Sequence, residues 1–419
     1  MDHIKFLRNL FQAAVAAADP MKTIPRALGE KPEGRVVVVG AGKASARMAE
    51  AVESLWGPCE GLVITRYGYA RPTQSIEIVE AAHPVPDQAA LEATDRMLSL
   101  LSGLGEEDFV LALISGGGSS LLCAPSEGIS LGDMQIVHQA LLKSGAPIQK
   151  MNTVRKHISR IKGGQLAAAA HPATMLSLMI SDVAGDDPSD IASGVTVGEN
   201  TTSQSALSII DDYEIELPTS VMVVLKQGSS VISPSDRRLE TVRNQIISAP
   251  SQSLEAARDA LGDMDVDCRI LGDAIEGEAR EEAVRQVELA LEVQSRMISG
   301  DRPVLLLSGG ECTVSGWGGG IGGPNAEFAL AAAIALDGGV GIHLLACDTD
   351  GVDGAAEVAG AVVHPGTLLL AAEMGLDPNA YLERNDSHRF FEQIGGQVVT
   401  GPTLTNVNDF RAILIEAKG

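Results

Sequence analysis

The chain has 419 residues, a length that predicts two domains because single hydrophobic cores stop growing at roughly 250–300 residues. Hydrophobic residues make up 45% of the chain, charged residues 21% and aromatic residues 3%, with 45 glycines, which is typical of a globular α/β protein rich in tight turns. The formal net charge of −24 argues against a nucleic-acid-binding surface, and no stretch reaches the roughly 18 apolar residues that a membrane span needs.

Short β-rich runs alternate with helical patterns in the first half of the chain. The first twenty residues predict an amphipathic helix, because Gln12 and Asp19 interrupt the apolar run that a signal peptide would need. The elements predicted next are strands over 35–40, 61–65 and 109–115 and helices over 44–55 and 88–101. Such alternation predicts βαβ units in a parallel sheet.

A second series of the same kind is predicted from residue 244 onward. Its elements are strands over 244–249, 267–271, 304–308 and 343–348 and a helix over 254–261. The polar stretch 226–238, with Gly, Ser and Pro, separates the two series. The sequence therefore predicts an α/β protein of two domains with mostly parallel sheets, a Rossmann-like N-terminal domain over 1–232 and a C-terminal domain over 233–419.

A glycine-containing turn, Gly40-Ala41-Gly42-Lys43, follows the first predicted strand and precedes a helix. Backbone amides exposed at a helix start attract anions, and Lys43 could reach a phosphate. The turn is not a P-loop, because Val37 and Ala44 stand where that motif requires Gly and Ser or Thr. A tight turn with a surface lysine is the structural alternative.

The same turn is an imperfect dinucleotide-binding fingerprint. Ser45 replaces its third glycine, and the next strand ends at Arg66 instead of the acidic residue that would hold a ribose. NAD is therefore disfavoured, while NADPH remains an alternative because Arg66 could contact a 2′-phosphate.

Two further glycine-rich loops follow apolar strands. The first opens a helical run, so its glycines and hydroxyls suit a phosphate near the positive end of a helix. Its residues are Ser115, Gly116, Gly117, Gly118, Ser119 and Ser120. The second begins at Ser308, Gly309 and Gly310, and the glycine run 316–325 after it predicts a mobile lid or nucleotide cradle, with a disordered surface loop as the alternative.

The segment 150–162, KMNTVRKHISRIK, concentrates basic residues in an otherwise acidic chain. Such a local reversal of charge suits a carboxylate or phosphate ligand. On a helix, Lys156 and Arg160 would share one stripe and Arg155 and Lys162 another. Only part of the segment can therefore face a binding site, and the rest is predicted to be solvated surface.

Aspartates cluster after two strand-like runs. Asp182 and Asp187 follow MLSLMI, and Asp348 and Asp350 follow IHLLAC. Strand ends are where α/β folds place their ligands, and carboxylates suit Mg²⁺; turn-forming side-chain contacts are the alternative. The second cluster is not a calcium loop, because Ala359 stands where the required glutamate would be.

Histidines and cysteines narrow the chemistry further. His83 in HPVPD and His388 in NDSH lie in turn-like segments, where each could contact a substrate or make a structural hydrogen bond. No H-E-x-x-H spacing and no G-x-S-x-G elbow before a helix occurs, which disfavours zinc enzymes and serine hydrolases. The five cysteines form no C-x-x-C pair, which favours a reducing cytoplasm.

Eight segments in register resemble those of the class II glycerate kinases, also called glycerate 2-kinases, over nearly the whole chain. They are GAGKAS, HPVPD, SGGGSSLL, VRKHISRIKGGQLA, SDVAGDDPSDIASG, SGGECTV, DTDGVDG and GPTLTNVNDF. The resemblance implies two α/β domains with the active site in the cleft between them, phosphoryl transfer to glycerate, and a divalent metal. The family's glycine-loop lysine corresponds to Lys43.

The chain departs from the usual family pattern at two positions. Val195 replaces a proline in SGVT, and Pro324 stands where many members carry an arginine before Asn325. The second departure removes a bidentate anion partner, which Arg155 or Arg160 would have to replace.

We therefore expect in-line transfer of the ATP γ-phosphoryl group to D-glycerate, most simply at its 2-hydroxyl, with Mg²⁺. Lys43, Asp182 and Asp350 are the predicted catalytic residues, Arg155, His83 and Asn325 the substrate-binding residues, and Asp187 and Asp348 the metal ligands. The predicted nucleotide-binding residues are Gly40, Gly42, Ser115, Gly116, Gly117, Gly118, Ser119, Ser120, Gly309 and Gly310.

Two other functions stay open from the sequence. One is an NAD(P)H-dependent hydroxypyruvate reductase, a label that members of this family often carry, and the other is a non-catalytic sensor of sugar acids. In each case the predicted partners are small molecules rather than nucleic acid or membrane, the predicted location is the cytoplasm, and a homodimer is compatible with the sequence.

Overall fold

The computed structural model describes residues 2–316, 318–354 and 356–418. Its contacts divide the chain into two compact units, and each holds a six-stranded sheet. The parallel-sheet unit comprises Pro20–Asp182 and Asp186–Ser248. The mixed-sheet unit comprises the chain up to Asp19, Val183–Gly185 and the chain from Ala249 onward. None of the described helices is long and apolar enough to cross a membrane.

Helix α1 (His3–Ala17) begins where the Asp2 side chain accepts a hydrogen bond from the Lys5 amide at 3.0 Å. Its apolar face is buried in the mixed-sheet unit, where the rings of Phe11 and Phe410 lie 5.8 Å apart. The N-terminal segment therefore packs with the C-terminal part of the chain, whereas the sequence predicts it in a domain over 1–232.

The parallel-sheet unit contains six strands and nine helices among its described residues. The strands are β1 (Val36–Ala41), β2 (Glu60–Arg66), β3 (Glu77–Ala81), β4 (Phe109–Ile114), β5 (Thr174–Ile180) and β6 (Val242–Ser248). The helices are α2 (Pro20–Ala27), α3 (Ser45–Trp56), α4 (Gln88–Leu101), α5 (Gly118–Leu121), α6 (Leu131–Lys143), α7 (Ile148–His157), α8 (Gln165–Ala170), α9 (Ser203–Asp212) and α10 (Thr219–Gln227), with a 3-10 turn at Ile191–Ser193 and another at Arg237–Leu239.

All neighbouring strands of this sheet run parallel, in the order β3-β2-β1-β4-β5-β6. This is the order of a dinucleotide-binding doubly wound sheet, so the Rossmann-like prediction is confirmed. The sequence places β6 at the start of the second series, but it pairs with β5 instead. A hydrogen bond of 2.7 Å from the Thr196 hydroxyl to the Asn244 side chain helps to hold it there.

The mixed-sheet unit continues after β6. Its strands are β7 (Asp267–Gly272), β8 (Gly277–Glu278), β9 (Val304–Gly310), β10 (Cys312–Thr313), β11 (Ile342–Asp348), β12 (Gly360–Val363), β13 (Gln397–Val398) and β14 (Asp409–Ile415). Its further helices are α11 (Pro250–Asp259), α12 (Ala279–Ser295), α13 (Pro324–Leu336), α14 (Thr367–Glu373), α15 (Pro378–Glu383) and α16 (Ser387–Ile394).

The larger sheet of this unit has the order β13-β12-β11-β14-β9-β7, and only β7 and β9 pair in parallel. The prediction of a second mostly parallel sheet is therefore wrong. The described residues of the link between β11 and β12 form no helix, and a parallel pair would require a long crossover connection. β14 is not among the strands predicted from the sequence, and it lies antiparallel between β9 and β11.

Alternating side chains along β14 pack into two apolar layers, one on each face of the sheet. Ile413 and Ile415 join a layer formed mainly by α12 and α13, whereas Phe410 and Leu414 join the layer formed by α1 and α11. This alternation follows from the two-residue period of a strand. Both faces of the sheet are thus covered by helices, as in α/β folds.

Replacing Phe11 by alanine should destabilise the mixed-sheet unit. Loss of a fully buried phenylalanine from a core costs about 3–5 kcal/mol in the free energy of unfolding, and Phe11 is 1% exposed. Gln12→Ala, which changes the exposed neighbour, should shift that free energy by less than about 0.5 kcal/mol. Urea denaturation followed by circular dichroism measures both. Equal stability of Phe11→Ala and wild type would show that α1 does not belong to this core.

Candidate functional site

The turns after β1 and β4 lie side by side at the carboxyl edge of the parallel sheet. β1 and β4 are neighbours, and the strand order reverses between them. In doubly wound sheets ligands bind outside the strand ends at such a switch point. Two of the three glycine loops predicted from the sequence therefore meet where this fold places its ligand.

Hydrogen bonds join these two turns. The Lys43 amide donates to the Gly116 carbonyl at 2.8 Å, and the Ala44 amide donates to the Ser115 hydroxyl at 3.0 Å. Gly42 has a φ of 137°, and a Cβ atom there would overlap the Ser115 side chain. Only glycine allows this approach. We call residues 40–45 and 115–118 the glycine junction.

The junction changes the predicted roles of its residues. Ser115 is fully buried, and its hydroxyl bonds within the protein. The Lys43 and Ala44 amides, predicted to face an anion, are also bonded within the protein. Ser45 uses its hydroxyl to donate to the carbonyls of Gly42 at 2.6 Å and Ile64 at 3.0 Å, a contact that the glycine of a dinucleotide fingerprint cannot make.

Lys43, His83 and Gly117 come together at the rim of the junction. A Cβ atom on Gly117 would lie 2.9 Å from the His83 ring and 3.5 Å from Cγ of Lys43. Burial, and then the charge of Lys43, lower the pKa of His83 to about 3. His83 is therefore a neutral imidazole at pH 7, able to donate one hydrogen bond and accept another.

A network of polar side chains connects the second glycine loop to the basic segment. The hydroxyls of Ser119 and Ser193 lie 2.8 Å apart, and Ser193 donates to the Asn152 side-chain oxygen at 3.1 Å. Arg155 donates to the same Asn152 oxygen at 3.2 Å. The arginine predicted to bind substrate is thus held beside the loop predicted to bind nucleotide.

The basic segment separates into structural and unpaired residues. Helix α7 ends at His157, so the helical stripes predicted beyond that residue do not form. Lys156 forms a buried ion pair with Glu199 at 2.5 Å, and Arg160 forms an exposed one with Asp95 at 3.0 Å. Arg155 and Lys162 form no ion pair with any described residue, because no described carboxylate lies within range.

Arg155 and Lys162 line a small cavity with His138. We call it the cationic pocket; its polar lining comes from Ser119, Ser120, His138, Arg155 and Lys162, and its apolar lining includes Leu122, Met134, Val137 and Ile158. Burial lowers the pKa of Arg155 to about 10. The pKa of Lys162 falls to about 8, mainly through burial and further through repulsion by Arg155.

His138 is not among the residues predicted from the sequence, because no motif contains it. Burial lowers its pKa to about 4, with added repulsion from Arg155 and Lys162. Its neutral ring leaves Arg155 and Lys162 as the pocket's two cations at pH 7. The signal that reveals the pocket is three-dimensional, namely basic groups from α6, from α7 and from the segment after α7 around one cavity.

The aspartates that follow β5 differ in exposure. Asp182 is half-buried, whereas Asp187 is exposed, and its carboxylate accepts the Ser189 amide at 2.8 Å. The aspartates that follow β11 make similar turn contacts. Asp348 accepts the Asp350 amide at 2.9 Å, and the fully buried Asp350 accepts the Val352 amide at 2.7 Å. These bonds are the turn-forming alternative weighed for both clusters.

The aspartate clusters do not form a complete protein cage for a metal. Within residues 2–316, 318–354 and 356–418, the grouping of three side chains with metal-ligand atoms in mutual reach is His3, His343 and Glu416. Two imidazoles suit zinc rather than magnesium. The oxygen donors of Asp187 and Asp348 are nevertheless of the kind that Mg²⁺ prefers, and Mg²⁺ commonly takes only one or two carboxylates beside phosphates and water.

Asn325 lies in the interior of the mixed-sheet unit. It is fully buried, and its side-chain amide donates to Asp409 at 2.6 Å and to Asp353 at 3.3 Å. Asp353 also accepts the backbone amides of Asn325 at 2.9 Å and Ala326 at 2.8 Å, which closes the start of α13. The structure therefore gives Asn325 buried carboxylate partners, where the sequence predicts a substrate contact. Asp353 is not among the site residues that the sequence predicts.

The third predicted glycine loop is mostly strand and packed turn. Gly309 and Gly310 lie within β9, buried and paired with β14, so the expected loop does not exist at these positions. The following run packs against the turn before α16, where the Gly318 amide donates to the Asn385 side chain at 2.9 Å and a Cβ atom on Gly320 would lie 2.6 Å from the Arg384 carbonyl oxygen. Trp317 lies outside the described residues.

The two ion pairs of the basic segment should differ in their effect on stability. The side chains of Lys156 and Glu199 are 6% and 9% exposed, against 45% and 52% for Arg160 and Asp95. Lys156→Met leaves a buried carboxylate unpaired and should lower the free energy of unfolding by about 3–5 kcal/mol. Arg160→Met should lower it by at most about 1 kcal/mol. Urea denaturation tests this, and equal losses would contradict the assignment.

Comparison with known proteins finds relatives that match nearly the whole length of the chain. Residues 6–226 match the domain of unknown function DUF4147, and residues 304–409 match the MOFRL family. A protein of Agrobacterium vitis, named provisionally as a hydroxypyruvate reductase, is 51% identical over 98% of this chain and 94% of its own. A D-glycerate 2-kinase of Thermotoga maritima is 38% identical over 97% of this chain and 96% of its own.

A solved crystal structure also resembles this chain. The glycerate kinase of Thermotoga maritima superposes with a TM-score of 0.84 at 37% identity, covering 98% of this chain and 99% of that one. The likeness thus covers nearly the whole length of both chains. The chain belongs to the class II glycerate kinase family.

Proposed function

We propose that this chain is a glycerate kinase that transfers the γ-phosphoryl group of ATP to the 2-hydroxyl of D-glycerate and yields 2-phosphoglycerate. The observation that carries the proposal is the glycine junction, with Lys43 at its rim, at the switch point of a Rossmann-like sheet. Full-length relatives named glycerate 2-kinases at 37–38% identity support it.

Phosphoryl transfer asks a protein chiefly to position the reactants and to neutralise charge. The acceptor oxygen forms a bond to the γ-phosphorus as the bond from that phosphorus to the β,γ-bridging oxygen breaks; ADP leaves, and the proton of the acceptor hydroxyl passes to the carboxylate of Asp182. Lys43 neutralises negative charge on the transferring group, and neutral His83 beside it supplies a hydrogen bond. The backbone of Gly116–Gly118 lies along the nucleotide phosphates, whereas the Ser119 hydroxyl bonds to that of Ser193 and the Ser120 hydroxyl donates to the Gly117 carbonyl at 3.1 Å.

The predicted aspartates have two proposed roles, metal binding and orientation of the acceptor hydroxyl. Asp187, in the turn after β5, and Asp348, at the end of β11, are the two predicted metal ligands, and each offers carboxylate oxygens that would suit Mg²⁺, which neutralises phosphate charge when bound. Asp182 orients the acceptor hydroxyl, because Asp350 is fully buried and already bonded to a backbone amide. Arg155 binds the carboxylate of glycerate. We place the reaction in the cytoplasm on the spacing of the five cysteines, which are unpaired.

Replacing Lys43 by alanine should lower kcat by about 10²–10³-fold, the effect of losing one electrostatic donor to a transition state. Lys143→Ala, a change at an exposed lysine at the end of α6, should leave kcat unchanged. Both are measured by coupled detection of ADP formed from ATP and D-glycerate. An unchanged kcat in Lys43→Ala would remove this lysine from the reaction.

The same proteins distinguish the alternative functions. Oxidation of NADPH by hydroxypyruvate, without ADP formation from ATP and D-glycerate, would identify a reductase and overturn the kinase proposal. Binding of glycerate without turnover of either substrate pair would identify a sensor. Mass spectrometry of the product separates 2-phosphoglycerate from 3-phosphoglycerate and so tests the assigned hydroxyl.

A further inference from the structure

We infer that the cationic pocket is the subsite for the acceptor's carboxylate and that His138 and Lys162 bind this carboxylate together with Arg155. The inference deepens the proposed function and rests on it for the identity of the acceptor. The polar network of Ser119, Ser193 and Asn152 positions Arg155 at this subsite.

Charge balance is the first argument for an anion in the pocket. Arg155 and Lys162 both face it, and neither forms an ion pair within the described residues, although the same segment pairs Lys156 and Arg160 with carboxylates. A buried cation without a partner is costly, since desolvation is not offset by a neighbouring charge. A ligand carboxylate supplies the missing negative charge.

Unused hydrogen-bond donors are the second argument. Nε of Arg155 and Nε2 of His138 are buried and have no partner among the described residues, whereas most buried polar atoms in proteins have one. Nε2 of His138 donates when the neutral ring is in its Nε2–H tautomer. Lys162 donates to the Leu122 carbonyl at 2.6 Å, which uses one of its three donors. A carboxylate has two oxygens and about four acceptor sites, enough for the donors that remain.

Size selects the kind of anion. The cavity measures 30 Å³, and a water-sized group needs roughly 10–15 Å³. It therefore holds about two such groups, the number of oxygens in one carboxylate. Sites that enclose drug-sized ligands measure roughly 300–1,000 Å³, so a nucleotide does not fit.

The position of the pocket fixes the orientation of the acceptor. Ser119 and Ser120 line the pocket and follow closely on Gly117, beside which Lys43 lies. A carboxylate held in the pocket leaves the adjoining carbon, with its hydroxyl, to point along this loop. The hydroxyl on that carbon is the 2-hydroxyl of a 2-hydroxycarboxylate.

Calorimetric titration of the full chain with D-glycerate, in the absence of ATP, tests the subsite. Arg155→Met and Lys162→Met should each raise Kd by at least about 30-fold, as expected when one partner of a buried charged contact is removed. His138→Ala should raise it less, and His138→Gln, which retains a donor, should recover much of the loss. Lys150→Met, at an exposed residue of α7, is the matched control and should bind as wild type does.

Ligands that differ in one group test the pocket in the wild-type protein, so that misfolding of a variant cannot obscure the result. Glycolate and lactate should compete with D-glycerate, whereas glycerol, which lacks the carboxylate, should not. Thermal unfolding of each variant checks its fold. Binding of glycerol as tight as that of glycerate, or unchanged Kd in folded Arg155→Met and Lys162→Met, would overturn the inference.

The dependence on pH gives a separate readout. Glycerate affinity should fall as pH rises above about 8, the pKa of unliganded Lys162, because the amine must be protonated to bind an anion. Cys123, whose thiol pKa is raised by burial, and the groups Arg155 and His138 face the same amine. In Lys162→Met this fall should disappear; its persistence would assign the titration to another group.

The two proposals fail in different ways. If no phosphoryl transfer is found but Kd for glycerate depends on Arg155 and Lys162, the carboxylate subsite stands and the kinase proposal falls. If ADP forms and KM for glycerate is the same in wild type and Arg155→Met, the kinase stands and the subsite falls.

Discussion

The contact between the turns after β1 and β4 is the constraint on which the candidate site depends. Gly42 lies so close to Ser115 that no side chain fits between them, and the Lys43 amide bonds to the Gly116 carbonyl. These contacts fix the start of α3 relative to the second loop. Because Lys43 and Gly117 belong to the two sides of this contact, their closeness follows from backbone geometry and not from the flexible lysine side chain.

The basic residues of segment 150–162 fall into two groups, those paired with a carboxylate and those without such a partner among the described residues. Lys156 is buried, yet its carboxylate partner Glu199 offsets the cost of desolvation. Arg155 and Lys162 carry the same kind of cost without a partner, and burial lowers the pKa of each. Local stability is thereby sacrificed at the cationic pocket, a pattern that proteins show at functional sites rather than in structural cores.

Local sequence patterns predicted β1, β2, β4 and β5 of the parallel-sheet unit, because each is a short apolar run beside a recognisable turn. The more polar β3 was not predicted, and β6 was placed in the second series. The helix over Gln88–Leu101 and the strands that carry the glycine turns lie where periodicity placed them. The mixed sheet was not predictable in the same way. Whether β11 pairs with β12 and β14, and in which direction, depends on contacts between distant residues that no local pattern encodes.

The residues of the candidate site were likewise only partly predictable from the sequence. Sequence motifs named Lys43, Arg155 and the serines of the second loop, but could not show that the Ser115 hydroxyl is spent on the Ala44 amide or that Gly309 continues a strand. His138 belongs to no motif, and only the fold of α6 against the segment after α7 brings it to Lys162. Residue type is visible in a sequence, whereas burial and unused donors are not.

Pro324 shows how the departure from the family pattern is accommodated. Proline is favourable at the first position of a helix, where its missing amide costs no hydrogen bond, and Pro324 begins α13. The next two amides, of Asn325 and Ala326, bond to Asp353. A carboxylate of the protein therefore occupies the helix start where an anion would otherwise bind, and the nearby Arg280 is paired with Glu327 in the first turn of the helix. Of the two arginines that could replace the lost one, Arg160 is paired with Asp95 and Arg155 has no charged partner among the described residues. The anion-binding role that we propose therefore rests on Arg155, in the cationic pocket of the parallel-sheet unit.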